Sequence, residues 1–180
     1  MTGAGTAAPP WDVVQWFNTE RPLVLDALRG RVIVLGAFQM LCPGCVEHSI
    51  PQLKRVHDLF PSGDVAVIGL HTVFEHHDAM GPTSLRAFLH EYRVGFPVGI
   101  DRPGGGGDPT PLTMRAYGLQ GTPTTILIDR DGRLRRQTFG HLSDLQLGAE
   151  IMALIGEGAA MTEQTGSAAN VCSTTGCEMV

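Results

Sequence analysis

Cys42-Pro43-Gly44-Cys45 stands between two segments of opposite character. Upstream, Val32 to Phe38 is β-branched and aliphatic almost throughout, the mark of a central strand covered on both faces. Downstream, Ile50, Leu53, Val56 and Leu59 with Phe60 recur at helical spacing, so a helix over residues 47–60 has one apolar face. A chain built this way puts Cys42 at the N-terminus of a helix. There the unpaired N–H groups and the positive end of the helix dipole favour a thiolate. Pro43 suits the first helical position, where its missing N–H costs nothing. Cys45 lies one turn deeper, within reach of a mixed disulfide formed at Cys42. The pair reads as an attacking thiol with its resolving partner.

The bland alternative for such a pair is half of a structural zinc site, which needs two further ligands at matching spacing. The only other cysteines, Cys172 and Cys177, sit in a polar tail with a loose gap between them. His71, His76 and His77 with Glu75 and Asp78 form a second histidine-rich stretch, read as exposed loop rather than as a metal site. No metal or other cofactor is expected beyond the redox-active cysteine pair. A formal charge of −5 without any basic block gives no reason to expect nucleic acid, and no apolar run is long enough to span a bilayer. Residues 1–10 carry neither a basic nor an apolar signal region, so the expected location is cytoplasmic, where a surviving cysteine pair is more often catalytic than structural.

Three organisational units are expected: a flexible leader over 1–10, a single domain over 11–155 and a flexible cysteine-containing tail over 156–180. Within the domain, residues 11–18 read as an edge strand or a first packed segment, Val32–Phe38 and Val65–Leu70 as buried strands, and Phe96–Ile100 as a third. His71–Pro82 reads as an irregular loop. Helices are expected over 47–60, kinked at Pro51, over 84–93 capped by Thr83, over 113–117 and over 142–155. Leu145, Ile151, Leu154 and Ile155 form the core stripe of the last. Thr124–Asp129 and Leu134–Phe139, joined through Arg130-Asp131-Gly132, read as an antiparallel hairpin. Strands alternating with helices want a parallel core, and the hairpin adds an antiparallel edge.

This order, with the dithiol after the first core strand and Gly121-Thr122-Pro123-Thr124 before the hairpin, resembles the thioredoxin-like superfamily. Leu28 to Arg31, the insertion between Leu70 and Thr110, and Ile126 to Arg133 resemble its TlpA-like and peroxiredoxin-like redoxin branch most. The resemblance implies an α/β thioredoxin-like fold: a central mixed sheet with a parallel core, a C-terminal antiparallel hairpin and helices on both faces. It implies that Pro123 follows a cis bond beside the cysteines and that Thr122 offers its backbone to an extended substrate. Thioredoxins carry tryptophan before the first cysteine and an acid six residues before it, where this chain has Leu41 and Gly36. The proton relay for the buried cysteine must then come from elsewhere, with Glu75 slightly preferred over Glu47. The helix proline also comes one residue late, which points to a wider first turn.

The implied activity is thiol–disulfide oxidoreduction on a disulfide-containing protein or small molecule, with an upstream thiol reductant. Thiol peroxidase is the alternative enzyme, but Gln39 stands where its signature threonine belongs. A redox-inert binding module is the third reading. Pro-Gly between the cysteines points to a more oxidising couple than thioredoxin, whereas the expected compartment points to a reductant, and the compartment is given more weight. Cys172 and Cys177 could act as a relay dithiol, since about 16 flexible residues reach roughly 20–24 Å. An incidental tail or a metal- or metalloid-binding one remains open, as does a homodimer.

Overall fold

The computed structural model describes residues 5–166. Its strands are β1 (Thr6–Ala7), β2 (Val13–Phe17), β3 (Val32–Phe38), β4 (Val65–His71), β5 (Val98–Asp101), β6 (Thr124–Ile128) and β7 (Arg133–Phe139). Its helices are α1 (Ile50–Leu59), α2 (Pro82–Glu91), α3 (Leu112–Ala116) and α4 (Asp144–Gly166). The strands form one sheet in the order β1-β7-β6-β3-β4-β5-β2. β3, β4 and β5 run parallel, β6 and β7 form an antiparallel hairpin against β3, and β2 is an antiparallel edge. This is the expected thioredoxin-like arrangement.

Every residue of β3 and β4 is buried, as their unbroken apolar runs require. Alternation then splits the core. Val32, Val34 and Phe38 face a layer built from α1, α2 and α4, while Ile33, Leu35 and Ala37 face α3 and the N-terminal segment. Helices thus cover both faces. Each fully buried aliphatic side chain contributes on the order of 1.5–3 kcal/mol before entropy is counted. Asp101 fixes α3 to the sheet, accepting the Thr113 and Met114 N–H groups at 2.8 and 2.9 Å and the Thr72 hydroxyl at 2.9 Å.

Several expectations need correction. The leader is structured from Gly5 onward: Thr6 and Ala7 pair with Leu134 and Arg133, and the Tyr117 hydroxyl donates to the Pro9 carbonyl at 2.7 Å. Gly81, not Thr83, caps α2, because Pro82 takes the first helical position. Leu145 is 85% exposed, and the inward stripe of α4 is Leu147, Ile151 and Leu154, preceded by Leu142. The last helix also continues to Gly166, through the first eleven residues of the expected tail. Glu157 anchors this part by an ion pair with Arg135 of β7, and the alanines that follow have high helix propensity. His71 belongs to β4, not to the loop, and is fully buried.

Pro51 does not kink a regular helix. Cys45–Ser49 form one wide turn in which the Ile50 N–H reaches back to the Cys45 carbonyl, five residues away. Pro51 falls where this π-type turn passes into α1, so the extra residue before the proline is absorbed there. The wider first turn expected from the sequence is present.

Candidate active site

β3 ends at Phe38, and the next two residues, Gln39 and Met40, remain buried while Leu41 emerges 57% exposed. A tight turn follows, closed by the Cys42 N–H on the Gln39 carbonyl at 3.2 Å. The Cys45 and Val46 N–H groups then point back at the Cys42 carbonyl, at 3.0 and 3.1 Å. This opening turn carries both cysteines as free thiols, Cys42 half-buried and Cys45 fully buried.

The two sulfurs sit in different environments. Cys42 Sγ accepts the Cys45 N–H at 3.3 Å, the kind of backbone donor that a thiolate needs. Its thiol also lies 3.5 Å from the Thr122 carbonyl, which a protonated sulfur can use as acceptor. Cys45 has its pKa pushed up to about 12, first by burial and then by its hydrogen bond with Cys42. The Gln39 backbone and the Thr122 side chain oppose that rise.

Thr122–Pro123 is a cis peptide. A Cβ added at Gly44 would meet the Pro123 ring at 3.4 Å, so the helix opening and the proline loop are in near contact through a residue without a side chain. The Pro123 carbonyl accepts the Gly140 N–H at 2.8 Å, which ties this loop to the end of the hairpin. Pro43 is exposed beside Cys42. Six of the expected residues are therefore together: Cys42, Pro43, Gly44, Cys45, Thr122 and Pro123.

The structure treats the two candidate acids differently. Gln39, 1% exposed, donates from Nε2 to Glu75 at 3.2 Å, while its backbone makes a hydrogen bond to Cys45 that favours the ionised sulfur. Glu75 is thus one residue removed from the buried thiol and faces solvent on its other side. Glu47 is exposed, its nearest partner His48 at 3.9 Å, and no hydrogen bond links it to either cysteine. Gln39 is the residue that sequence reasoning noticed only as a missing threonine. Gly36, which stands in for the usual acid, has no space for one: a Cβ there would land on the Leu53 side chain of α1.

His76 and His77 are exposed, and His71 packs against Phe38 with ring centroids 5.3 Å apart. Among the described residues no group of three or more His, Cys, Asp or Glu side chains could hold a metal. Cys172 and Cys177 lie outside the described residues.

A family model described as redoxin matches residues 4–146. A crystal structure of a thioredoxin-like superfamily protein is 58% identical, with a TM-score of 0.82 over 84% of this chain and 97% of that one. A thiol-disulfide isomerase from Corynebacterium glutamicum is 47% identical, with a TM-score of 0.78 over 82% of this chain and 96% of that one. The thiol-disulfide oxidoreductase ResA of Halalkalibacterium halodurans is 27% identical over 132 residues, covering 73% of this chain. The chain spans 66% of the length of that ResA and 65% of the one from Bacillus anthracis.

Proposed function

The chain belongs to the redoxin family of the thioredoxin-like superfamily, and from that premise we propose that it is a thiol–disulfide oxidoreductase that reduces protein or small-molecule disulfides. The observation that carries this reading is the asymmetry of the dithiol. One sulfur is reachable and accepts a backbone N–H; the other is buried and protonated, its pKa pushed up to about 12.

In the proposed cycle the Cys42 thiolate attacks one sulfur of the substrate disulfide. A Cys42–substrate bond forms, the substrate S–S bond breaks, and the released thiolate takes a proton. Cys45 then gives up its proton, attacks Cys42 Sγ and expels the second substrate thiol. Two electrons have passed to the substrate, and Cys42–Cys45 is a disulfide awaiting an upstream thiol reductant. Burial keeps Cys45 unreactive until the mixed disulfide exists, when the Gln39–Glu75 pair offers its proton a route to water. The Thr122 backbone and the exposed Leu41 and Pro43 are the surfaces that meet the substrate. A peroxidase has less support, because the Gln39 side chain is engaged by Glu75 and the Phe74 N–H rather than turned to a peroxide at Cys42.

The test is Cys45→Ser. It should accumulate a covalent mixed disulfide at Cys42, read by intact mass, and turnover without any trapped species would sink the assignment of roles. The direction of flow is tested by the reduction potential of the pair. A value near about −270 mV fits a reductase in a reducing cytoplasm, and one near about −120 mV would make the protein an oxidant.

A further inference from the structure

At the other end of the parallel strands from the dithiol lies a cavity of about 510 Å3, lined by Phe17, Asn18, Arg86, Leu89, His90, Arg93, Val94 and Gly95. The dithiol follows the C-terminal end of β3, whereas Val94 and Gly95 precede the parallel strand β5, so the two sites are separated by the length of the sheet. The volume falls within the range of roughly 300–1,000 Å3 usual for small-molecule sites.

The floor is apolar, made by Phe17, Leu89 and Val94, all buried. The lining has cations but no carboxylate. Among the described residues neither Arg86 nor Arg93 has an acidic partner, while most of the other arginines do. The Arg86 guanidinium stands 5.8 Å from the Phe17 ring centroid, which holds it over the floor. His90 pairs with Glu91 at 3.3 Å, so that carboxylate is already engaged outside the cavity.

The rim carries two residues with left-handed backbone, of which only the arginine is strained. Arg93 has φ 51° and Asn18 φ 57°, both left-handed. Arg93 occupies the position that ends α2, where the Val94 N–H returns to the Leu89 carbonyl and the Arg93 N–H to the His90 carbonyl. Glycine is the usual residue there, and an arginine costs on the order of 1–2 kcal/mol of backbone energy. Asn18 is fixed by two bonds from Nδ2, to the Val94 and Phe96 carbonyls at 2.7 and 3.1 Å. Lys54 Nζ sits on the Tyr92 carbonyl at 2.9 Å, offsetting the negative end of α2.

We propose that this cavity binds a small amphiphilic carboxylate, its anionic head between Arg86 and Arg93 and its apolar body on Phe17, Leu89 and Val94. The site is independent of the redox reading. The probe is octanoate, titrated into the full chain and followed by calorimetry and by backbone amide shifts, with acetate and 1-octanol as the headgroup and tail controls. Saturable binding is expected, with shifts centred on residues 17–18 and 86–95, and about ten-fold or weaker binding of each control. Arg86→Gln and Arg93→Asn should each weaken octanoate about ten-fold, the loss of one charge-assisted contact. Asparagine tolerates the left-handed backbone, so that variant keeps the helix end. Absence of saturable shifts at these amides, acetate binding as well as octanoate, or undiminished binding in the double variant would each overturn the proposal.

Discussion

At the scale of single residues, the chemistry turns on how Cys45 loses its proton. Burial keeps that thiol protonated, and only the Gln39 backbone and the Thr122 side chain ease its ionisation. If Glu75 draws the proton out through Gln39, Glu75→Gln should slow resolution of the mixed disulfide about ten-fold or more while leaving the first attack by Cys42 unchanged. Single-turnover kinetics with a fluorescent disulfide separate the two steps, and Glu47→Gln is the control expected to do nothing. Equal slowing by both variants would mean a bulk electrostatic effect. His71 bears on stability instead. Its imidazole is buried with neither ring nitrogen hydrogen-bonded, and burial pushes its pKa down to about 4 from 6.5. Between those pH values the unfolded chain binds a proton that the folded chain refuses. This contribution to stability is therefore complete above pH 6.5 and declines as pH falls toward 4, by roughly 3 kcal/mol in all. Urea unfolding across that range should show the decline in the parent and a much flatter profile in His71→Leu. Leucine removes the proton site and leaves no polar atom unpaired.

At the scale of elements, the contact between β3 and α1 explains why the site departs from thioredoxin. Gly36 lies directly under Leu53, so the helix sits closer to the strand than any side chain at that position would allow. Gly36→Ala should cost about 1–3 kcal/mol by overpacking, and Leu53→Ala added to it should recover part of the loss although it is destabilising alone. Chemical denaturation of the two single variants and the double measures this coupling, and simple additivity would mean the strand yields instead. Much of this level was legible beforehand. The unbroken apolar runs gave β3 and β4 because burial on both faces leaves no room for alternation, and the late Pro51 announced a wide turn. The packing of Gly36 was not legible, since a glycine in a strand does not say which side chain fills its space. Nor was the Gln39–Glu75 bond, which joins the end of β3 to a loop thirty-odd residues later. The face of α4 was misjudged because its residues from Leu145 to Ile155 are apolar in more than one direction, so spacing alone could not choose between Leu145 and Leu147.

At the scale of the whole molecule, both ends of the described chain are fastened to the hairpin, on the side of the sheet away from β2. Arg135 and Arg136 of β7 hold Glu157 and Glu150 of α4, and Arg55 reaches Asp144 at its start. The N-terminal segment adds β1 to the outer edge of β7. There the Ala8 N–H donates to the Gly132 carbonyl at 3.0 Å and Arg133 to the Gly5 carbonyl at 3.1 Å. Composition hid this, because a stretch of glycine, alanine and proline gives no periodic signal and is recruited only by the unpaired edge it meets. Removing residues 1–8 deletes these bonds and the short β1 pairing. At about 0.5–1.5 kcal/mol per exposed hydrogen bond, the loss should be about 2–4 kcal/mol. The arginines left on β7 still discourage edge-to-edge association, so the truncated protein should stay soluble. β7 and β6 separate the lost strand from β3, which delivers the dithiol. Turnover and the reduction potential should therefore be unchanged at temperatures where the truncated protein remains folded. A shifted potential in a variant that melts normally would place the N-terminal segment in the redox machinery rather than in the frame that supports it.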